Sequence, residues 1–233
     1  MGLSLYQIAL IPALVGIVLT LPLFLTKKRY LVTKEMIKFY LLFVFVSSFG
    51  FLAQYASIIF GVPVSIVVSL LYTQPLWTVI FSKIFLREKI TKAKILAVFI
   101  VLLGIVFIVN PLKIEIVGSL TGIIIVLIGG LSFSGWTILG SLSGKRKYNA
   151  ITTMFVNSSL VTLFVLLYYP IISLLNNPSL TAFSFNIPLK IWLYIIIIRI
   201  FTAIIPHILY YTGTRKVSTS DAGVILLLES VSA

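Results

Sequence analysis

Apolar residues in this chain come in long runs rather than in alternation. They cover 4–26, 38–60, 63–85, 93–110, 118–142, 151–175 and 190–212, and an eighth run opens near Asp221 and continues to Ala233. A helix rising ~1.5 Å per residue needs about 20 residues to cross a hydrocarbon core ~30 Å thick. The first seven runs therefore predict seven membrane-crossing helices, the fourth being the shortest. The eighth, with about a dozen residues, predicts only the start of another. The polar stretches between runs are short, so consecutive helices are expected to run antiparallel. The fold class is an all-α polytopic helix bundle.

Composition and charge narrow this picture. Sixty per cent of the residues are apolar and only 10 % charged, more apolar surface than a soluble domain of 233 residues can cover. The net charge of +13 does not mark a nucleic-acid binder, because the basic residues lie in clusters between the apolar runs. Lys27, Lys28, Arg29, Lys34 and Lys38 follow the first run, and Lys83, Arg87, Lys89, Lys92 and Lys94 the third. Lys145, Arg146 and Lys147 follow the fifth, and Arg215 and Lys216 the seventh. These alternate loops hold 15 of the 18 basic residues, the other loops only Lys113 and Lys190, and Arg199 lies inside a run. The positive-inside rule makes the basic loops cytoplasmic and places the N-terminus of this chain outside, as in a multi-pass protein of the cell membrane. The first run is not a secretory signal, because its positive charges follow it instead of preceding it. With no cysteine, one histidine and one aspartate, neither a metal centre nor a nucleophilic constellation can be assembled. No catalytic residue, metal or cofactor is expected, and the chain is not expected to be an enzyme.

Polar residues inside the runs are the candidates for function, since lipid offers them no partner. Gln74 lies near the middle of its run and precedes Pro75, which frees a carbonyl and kinks the helix. Tyr72, Thr73 and Trp77 gather around the same break. Arg199 is a cation near mid-depth, which costs roughly 2.5–3.5 kcal/mol on insertion scales and so calls for a partner. Glu229, within about one helical turn of the same depth, is the natural one; a structural ion pair and an anchor for an anionic substrate are both open. His207 follows Pro206 eight residues after Arg199, rotated about 80° around a regular helix. Pro75 and Pro206 are candidate hinge points. Glycines at Gly118, Gly122, Gly129, Gly130, Gly140 and Gly144 are expected to let helices approach closely.

Residues 61–110 are the most distinctive stretch. A small-residue turn leads into an apolar run broken by Gln74-Pro75, then Phe85-Leu86-Arg87-Glu88-Lys89 and an apolar helix containing Gly104. This order resembles the EamA-type half-repeat of the drug/metabolite transporter superfamily. The resemblance implies ten helices in two five-helix halves with both termini cytoplasmic. It assigns residues 1–110 to family helices two to five and 111–233 to helices six to eight and the start of nine, so the chain is expected to be truncated at both ends. A shift of about 155 residues supports a repeat of inverted topology: Tyr55 meets Tyr210, Ser57 meets Thr212, Val62 meets Val217, Ser65 meets Ser220, and Gln74-Pro75 falls on Glu229-Ser230. Glu88 matches a family position at the hinge and is expected to cap a helix and balance neighbouring lysines.

The function so implied is transmembrane transport of small organic metabolites, amino-acid-like solutes or toxic compounds, including efflux. Alternating access would proceed around a midplane cavity with Tyr72, Gln74, Trp77, Arg199, His207 and Glu229 as substrate-binding candidates. The expected partners are a small-molecule substrate and the lipid bilayer, with a homodimer left open. The alternatives are a seven-helix membrane receptor, or a membrane subunit that does not transport.

Overall fold

The computed structural model describes residues 4–26, 32–109, 120–174 and 176–226. All regular structure among the described residues is helical. The elements are α1 (Leu5–Leu25), α2 (Lys34–Ile59), α3 (Val64–Leu71), α4 (Gln74–Leu86), α5 (Lys92–Val109), α6 (Leu120–Lys145), α7 (Ala150–Ser173), the short α8 (Pro178–Thr181), α9 (Leu189–Ile198), a π-helical turn (Arg199–Ile204), α10 (Ile205–Gly213) and α11 (Thr219–Ile225). Among the described residues six helical stretches are long and apolar enough to span a bilayer: Tyr6–Leu25, Lys34–Ile59, Val64–Leu86, Leu120–Lys145, Ala150–Ser173 and Leu189–Gly213. The fourth apolar run, expected to cross as well, forms the 18-residue helix α5. This is a polytopic helical membrane protein.

The helices group into two compact units, one of Met1–Ser48 with Ser143–Arg215, the other of Phe49–Leu142 with Lys216–Ala233. In the first, α1 packs along α7, and α10 and the π-helical turn complete the packing. Ser4 caps α1 and forms a capping box with Gln7. The side chains of both are tied to the segment before α9: the Ser4 hydroxyl donates to the carbonyl of Ala182, and Gln7 Nε2 to that of Ser184 at 2.8 Å. Deeper in the unit, Tyr6 Oη donates to Val165 O at 2.7 Å, and Tyr40 Oη lies 3.0 Å from Thr153 Oγ1. Asn149 caps α7 by accepting from Ile151 N and Thr152 N.

In the second unit, Val62, Val67 and Val126 form a buried apolar cluster, and α4 packs against α11. Gly122 and Gly129 serve the close approach expected of them. A side chain on Gly122 would collide with Val62 Cγ2 at 2.6 Å, and one on Gly129 would press on Ala53 Cβ at 3.1 Å.

Both proline sites break their helices, each one turn before the ring. The interruption expected at Gln74-Pro75 falls at Tyr72-Thr73, and Pro75 sits in the first turn of α4. Proline lacks the donor for the carbonyl four residues back and its ring crowds that carbonyl, so the upstream turn yields while the first helical turn accepts the ring without loss. At Pro206 the response is a widened turn. Ile205 N bonds Ile200 O, five residues back, and Thr202 Oγ1 bonds back to Ile198 O at 2.7 Å.

Candidate functional site

The widened turn changes the relation between Arg199 and His207. One extra residue is absorbed, so eight residues advance the helix like about seven, and the two side chains leave it roughly 20° apart rather than 80°. Burial follows that face: Ala203, Ile204 and Tyr211 are buried, whereas Phe201, Thr202, Ile205 and Leu209 are exposed. The His207 ring lies 6.1 Å from that of Tyr211, which packs edge-on to Phe43 at 6.3 Å.

Arg199 lies in the first unit, against the backbone of α1. A Cβ built on Gly16 would fall 3.1 Å from both Arg199 Nε and Nη2 and 3.0 Å from Ser158 Oγ. The guanidinium and the serine hydroxyl therefore lie within about 6 Å of each other, packed against a backbone they can approach because residue 16 has no side chain. Gly16 is ten residues into the span Tyr6–Leu25, and Arg199 ten residues into Leu189–Gly213, about 15 Å from the start of each. Ser158 is 1 % exposed, and its hydroxyl has no hydrogen-bond partner among the described residues. Neither Gly16 nor Ser158 stands out in the sequence, since glycine and serine inside a membrane helix ordinarily mean packing.

Tyr72, Gln74, Pro75 and Trp77 belong to the second unit, at the break between α3 and α4. Gln74 is half-buried, and its Nε2 donates to Thr137 Oγ1 at 2.5 Å; that hydroxyl in turn bonds back to Phe133 O at 3.0 Å. One turn on, Thr78 Oγ1 contacts Gln74 O at 3.0 Å and Ser134 Oγ at 3.2 Å. Ser141, two turns below Ser134 on α6, pairs with Thr219 of α11 at 2.9 Å. A side chain on Gly223 would strike Thr78 Cγ2 at 2.7 Å. Gln74 thus heads a buried hydroxyl seam between α4, α6 and α11. Trp77 is half-buried, 6.2 Å from Phe81, and its indole N–H is buried with no acceptor among the described residues. Tyr72 is half-buried at the end of α3.

At the end of this unit that carries the basic hinge, the capping expected of Glu88 is found on a distant helix. Arg87 closes α4 in the left-handed conformation (φ 54°, ψ 31°), which turns Glu88 toward α11. The Glu88 carboxylate accepts from Thr219 N at 2.8 Å, Ser220 N at 3.0 Å and Ser220 Oγ at 2.8 Å. Lys94 completes a clamp, pairing with Asp221 at 2.9 Å and donating to Ser218 Oγ and Ser220 Oγ at 3.0 and 2.7 Å. Asp221, outside the six spans, is held below the usual carboxylate range, first by the Ser218 hydroxyl and then by Lys94. Glu229, the expected partner of Arg199, lies outside the described residues. Among the described residues no group of acids or histidine could hold a metal ion.

Comparison with known proteins agrees with this architecture. The model of the EamA-like transporter family matches residues 2–110 and 120–233. An uncharacterized transporter of Archaeoglobus fulgidus is 30 % identical over 163 residues, 70 % of this chain and 53 % of the relative. The uncharacterized transporter YyaM of Bacillus subtilis is 24 % identical over 161 residues, 67 % of this chain and 50 % of its own length. The chain spans about half the length of these curated relatives.

Proposed function

Because this chain belongs to the EamA-like transporter family, a family of drug/metabolite transporters, we propose that it carries small organic metabolites across the cell membrane by alternating access. Amino-acid-like solutes and toxic compounds are the substrate class, with efflux among the directions. The observation that carries this reading is the pairing of bilayer-length helices with polar interruptions at mid-span, the Tyr72-Thr73 break and the π-helical turn at Arg199. Non-helical backbone and a cation at that depth are tolerated where they are buried in protein or line a water-filled path. Two inverted half-repeats, 1–110 and 111–233, would supply the moving parts, with Pro75 and Pro206 as flexible points. Tyr72, Gln74, Trp77, Arg199, His207 and Glu229 are the substrate-binding candidates in this reading.

The decisive experiment is flux. Protein expressed from the whole reading frame, purified and reconstituted in liposomes loaded with a panel of radiolabelled amino acids and metabolites, should show counterflow of at least one class above protein-free vesicles. Absence of flux across the whole panel, with the protein folded, would refute the carrier reading. Orientation is tested separately. Cysteines replacing Lys92 and Lys147 should be shielded from an impermeant thiol reagent in intact cells, while one at Asn186 should label; the reverse pattern would overturn the N-terminus-outside topology.

A further inference from the structure

The buried polar groups of the second unit serve one another. The hydroxyl seam joins α4, α6 and α11, and the Glu88–Lys94 clamp holds the start of α11. The outer side of the same hinge differs. Lys83, Arg87, Lys89 and Lys92 lie close together in the chain and are all exposed, and among the described residues none of their side chains forms an ion pair or a hydrogen bond. The two acids described in this unit are engaged elsewhere, Glu88 by α11 and Asp221 by Lys94. Several cations of the first unit have partners on the protein instead. Arg146 lies 5.0 Å over the Phe39 ring, Lys190 5.9 Å over that of Tyr194, and Arg215 donates to Tyr148 O at 3.2 Å.

The local structure places the unpaired charges at the edge of a span. Pro75, Thr78, Val79 and Ser82 form the buried side of α4, whereas Ile80, Lys83 and Ile84, spaced three and four apart, form an exposed stripe on the other side. Lys83 lies three residues inside the end of the span Val64–Leu86, so its stem runs along apolar surface while its ammonium reaches the headgroup level. Arg87 closes the helix just beyond it. Across the hinge, the first turn of α5 carries Lys92 and Lys94 and no acid, so cations stand at the positive end of the helix dipole, where an anion is favoured.

We propose that this hinge binds an anionic phospholipid, with Lys83, Arg87, Lys89 and Lys92 around the headgroup and Ile80, Ile84 and Phe85 along the acyl chains. Charge complementarity selects the occupant: four unpaired cations at headgroup level match a net negative lipid, and each gains from an anionic surface. A zwitterionic lipid would bring its own cation into the same cluster. A soluble anion would answer the charges but leave the apolar stripe unused, and that stripe is open, Ile84 and Phe85 being 61 and 71 % exposed. The assignment rests on the membrane span Val64–Leu86 and holds whether or not the protein is a carrier.

The test is lipid titration by native mass spectrometry, on protein expressed from the whole reading frame and purified in detergent. The probes are phosphatidylglycerol and phosphatidylcholine with identical acyl chains, with inorganic phosphate and glycerol 3-phosphate as soluble competitors. Phosphatidylglycerol should bind roughly tenfold or more tightly than phosphatidylcholine, and added salt should narrow the gap. Lys83→Gln should weaken phosphatidylglycerol roughly fivefold, and Lys83→Gln with Arg87→Gln should bring the two lipids close to parity. Lys83→Arg, which keeps the charge, should keep the preference. Lys34→Gln with Lys38→Gln removes the same charge from exposed positions flanking the exposed Glu35 and should also leave it intact. If the Lys83–Arg87 double variant does not fold, Lys83→Gln and Lys89→Gln singly carry the test. Equal affinity for the two lipids would overturn the site, as would a preference undiminished in the hinge variants. An equal loss in the Lys34–Lys38 variant would show net charge alone at work, and displacement of phosphatidylglycerol by an equal concentration of either soluble phosphate would show a site for free anions; each would equally overturn the proposal.

Discussion

Removing the Glu88 carboxylate is the sharpest perturbation available in the second unit. Helix α11 has only seven residues among those described, too few to be stable alone, so its start depends on what holds it. Its first N–H groups have no intrahelical partner, and Glu88 accepts from two of them, Thr219 N and Ser220 N at 2.8 and 3.0 Å. The side chain comes from 131 residues away in sequence, and its charge also complements the positive end of the helix dipole. An N-cap is worth about 1–2 kcal/mol, and the favourable charge adds about 0.3–1 kcal/mol. Glu88→Ala should therefore cost about 1.3–3 kcal/mol locally, equivalent to roughly a 10- to 150-fold change in opening equilibrium. Glu88→Gln keeps one acceptor oxygen and should lose about half as much. Hydrogen exchange of a peptide covering 214–226 measures this directly: protection of the Thr219 and Ser220 amides should fall by the stated factors, while α3 in the same unit stays unchanged. Protection unaltered in Glu88→Ala would refute the clamp. Equal losses in Glu88→Gln and Glu88→Ala would show that charge alone, not accepted hydrogen bonds, holds the helix start.

Three further outcomes are expected. The Asp221 carboxyl is depressed in the folded state, so its contribution is fully present above its ordinary value of about 3.9 and is lost as pH falls through the lower folded value; exchange of α11 corrected for intrinsic rates should match between pH 7 and pH 5, and a loss of protection in that window would contradict the assignment. Gly144→Ala places a Cβ 2.6 Å from the Tyr211 carbonyl and beside Thr214, and should destabilise by about 1–3 kcal/mol in a thermal melt, whereas Gly104→Ala meets nothing within 4 Å and should be neutral or up to about 1 kcal/mol stabilising. Gln74→Leu leaves Thr137 without its donor and Thr137→Val leaves a part-buried amide unsatisfied, each costing about 1–3 kcal/mol, while the double variant should cost less than the sum in the same melt.

What the sequence made legible was whatever depends on neighbours along the chain. The spans follow from the length of the apolar runs, and predicted and observed helix ends mostly agree within a few residues, as with 4–26 against Leu5–Leu25 and 151–175 against Ala150–Ser173. Proline positions announced both helix irregularities, though each lies a turn upstream because the crowded carbonyl belongs to the preceding turn. The 80° offset of Arg199 and His207 failed because it assumed a regular helix through the π-helical turn. The hydroxyl seam was not legible at all. Serine and threonine can satisfy themselves against their own helix, so Thr78, Ser134, Thr137 and Ser141 carry no signal until tertiary packing sets them side by side. Glu88 was legible as a cap by type and place, but its target could not be, since Thr219 and Ser220 reach it only through the fold.

The same logic reorders the candidate residues. A polar side chain in a span is a functional candidate because lipid cannot satisfy it, and the argument weakens as soon as the protein does. Gln74, the most conspicuous polar residue of its run, has its amide on Thr137, so any solute that uses it must first compete with a hydrogen bond of 2.5 Å. Ser158 has the opposite history: an ordinary residue in sequence, flanked by two that bond back to their own helix, it alone of the three leaves its hydroxyl unused among the described residues. It does so beside a guanidinium that, like the serine, packs closely against Gly16.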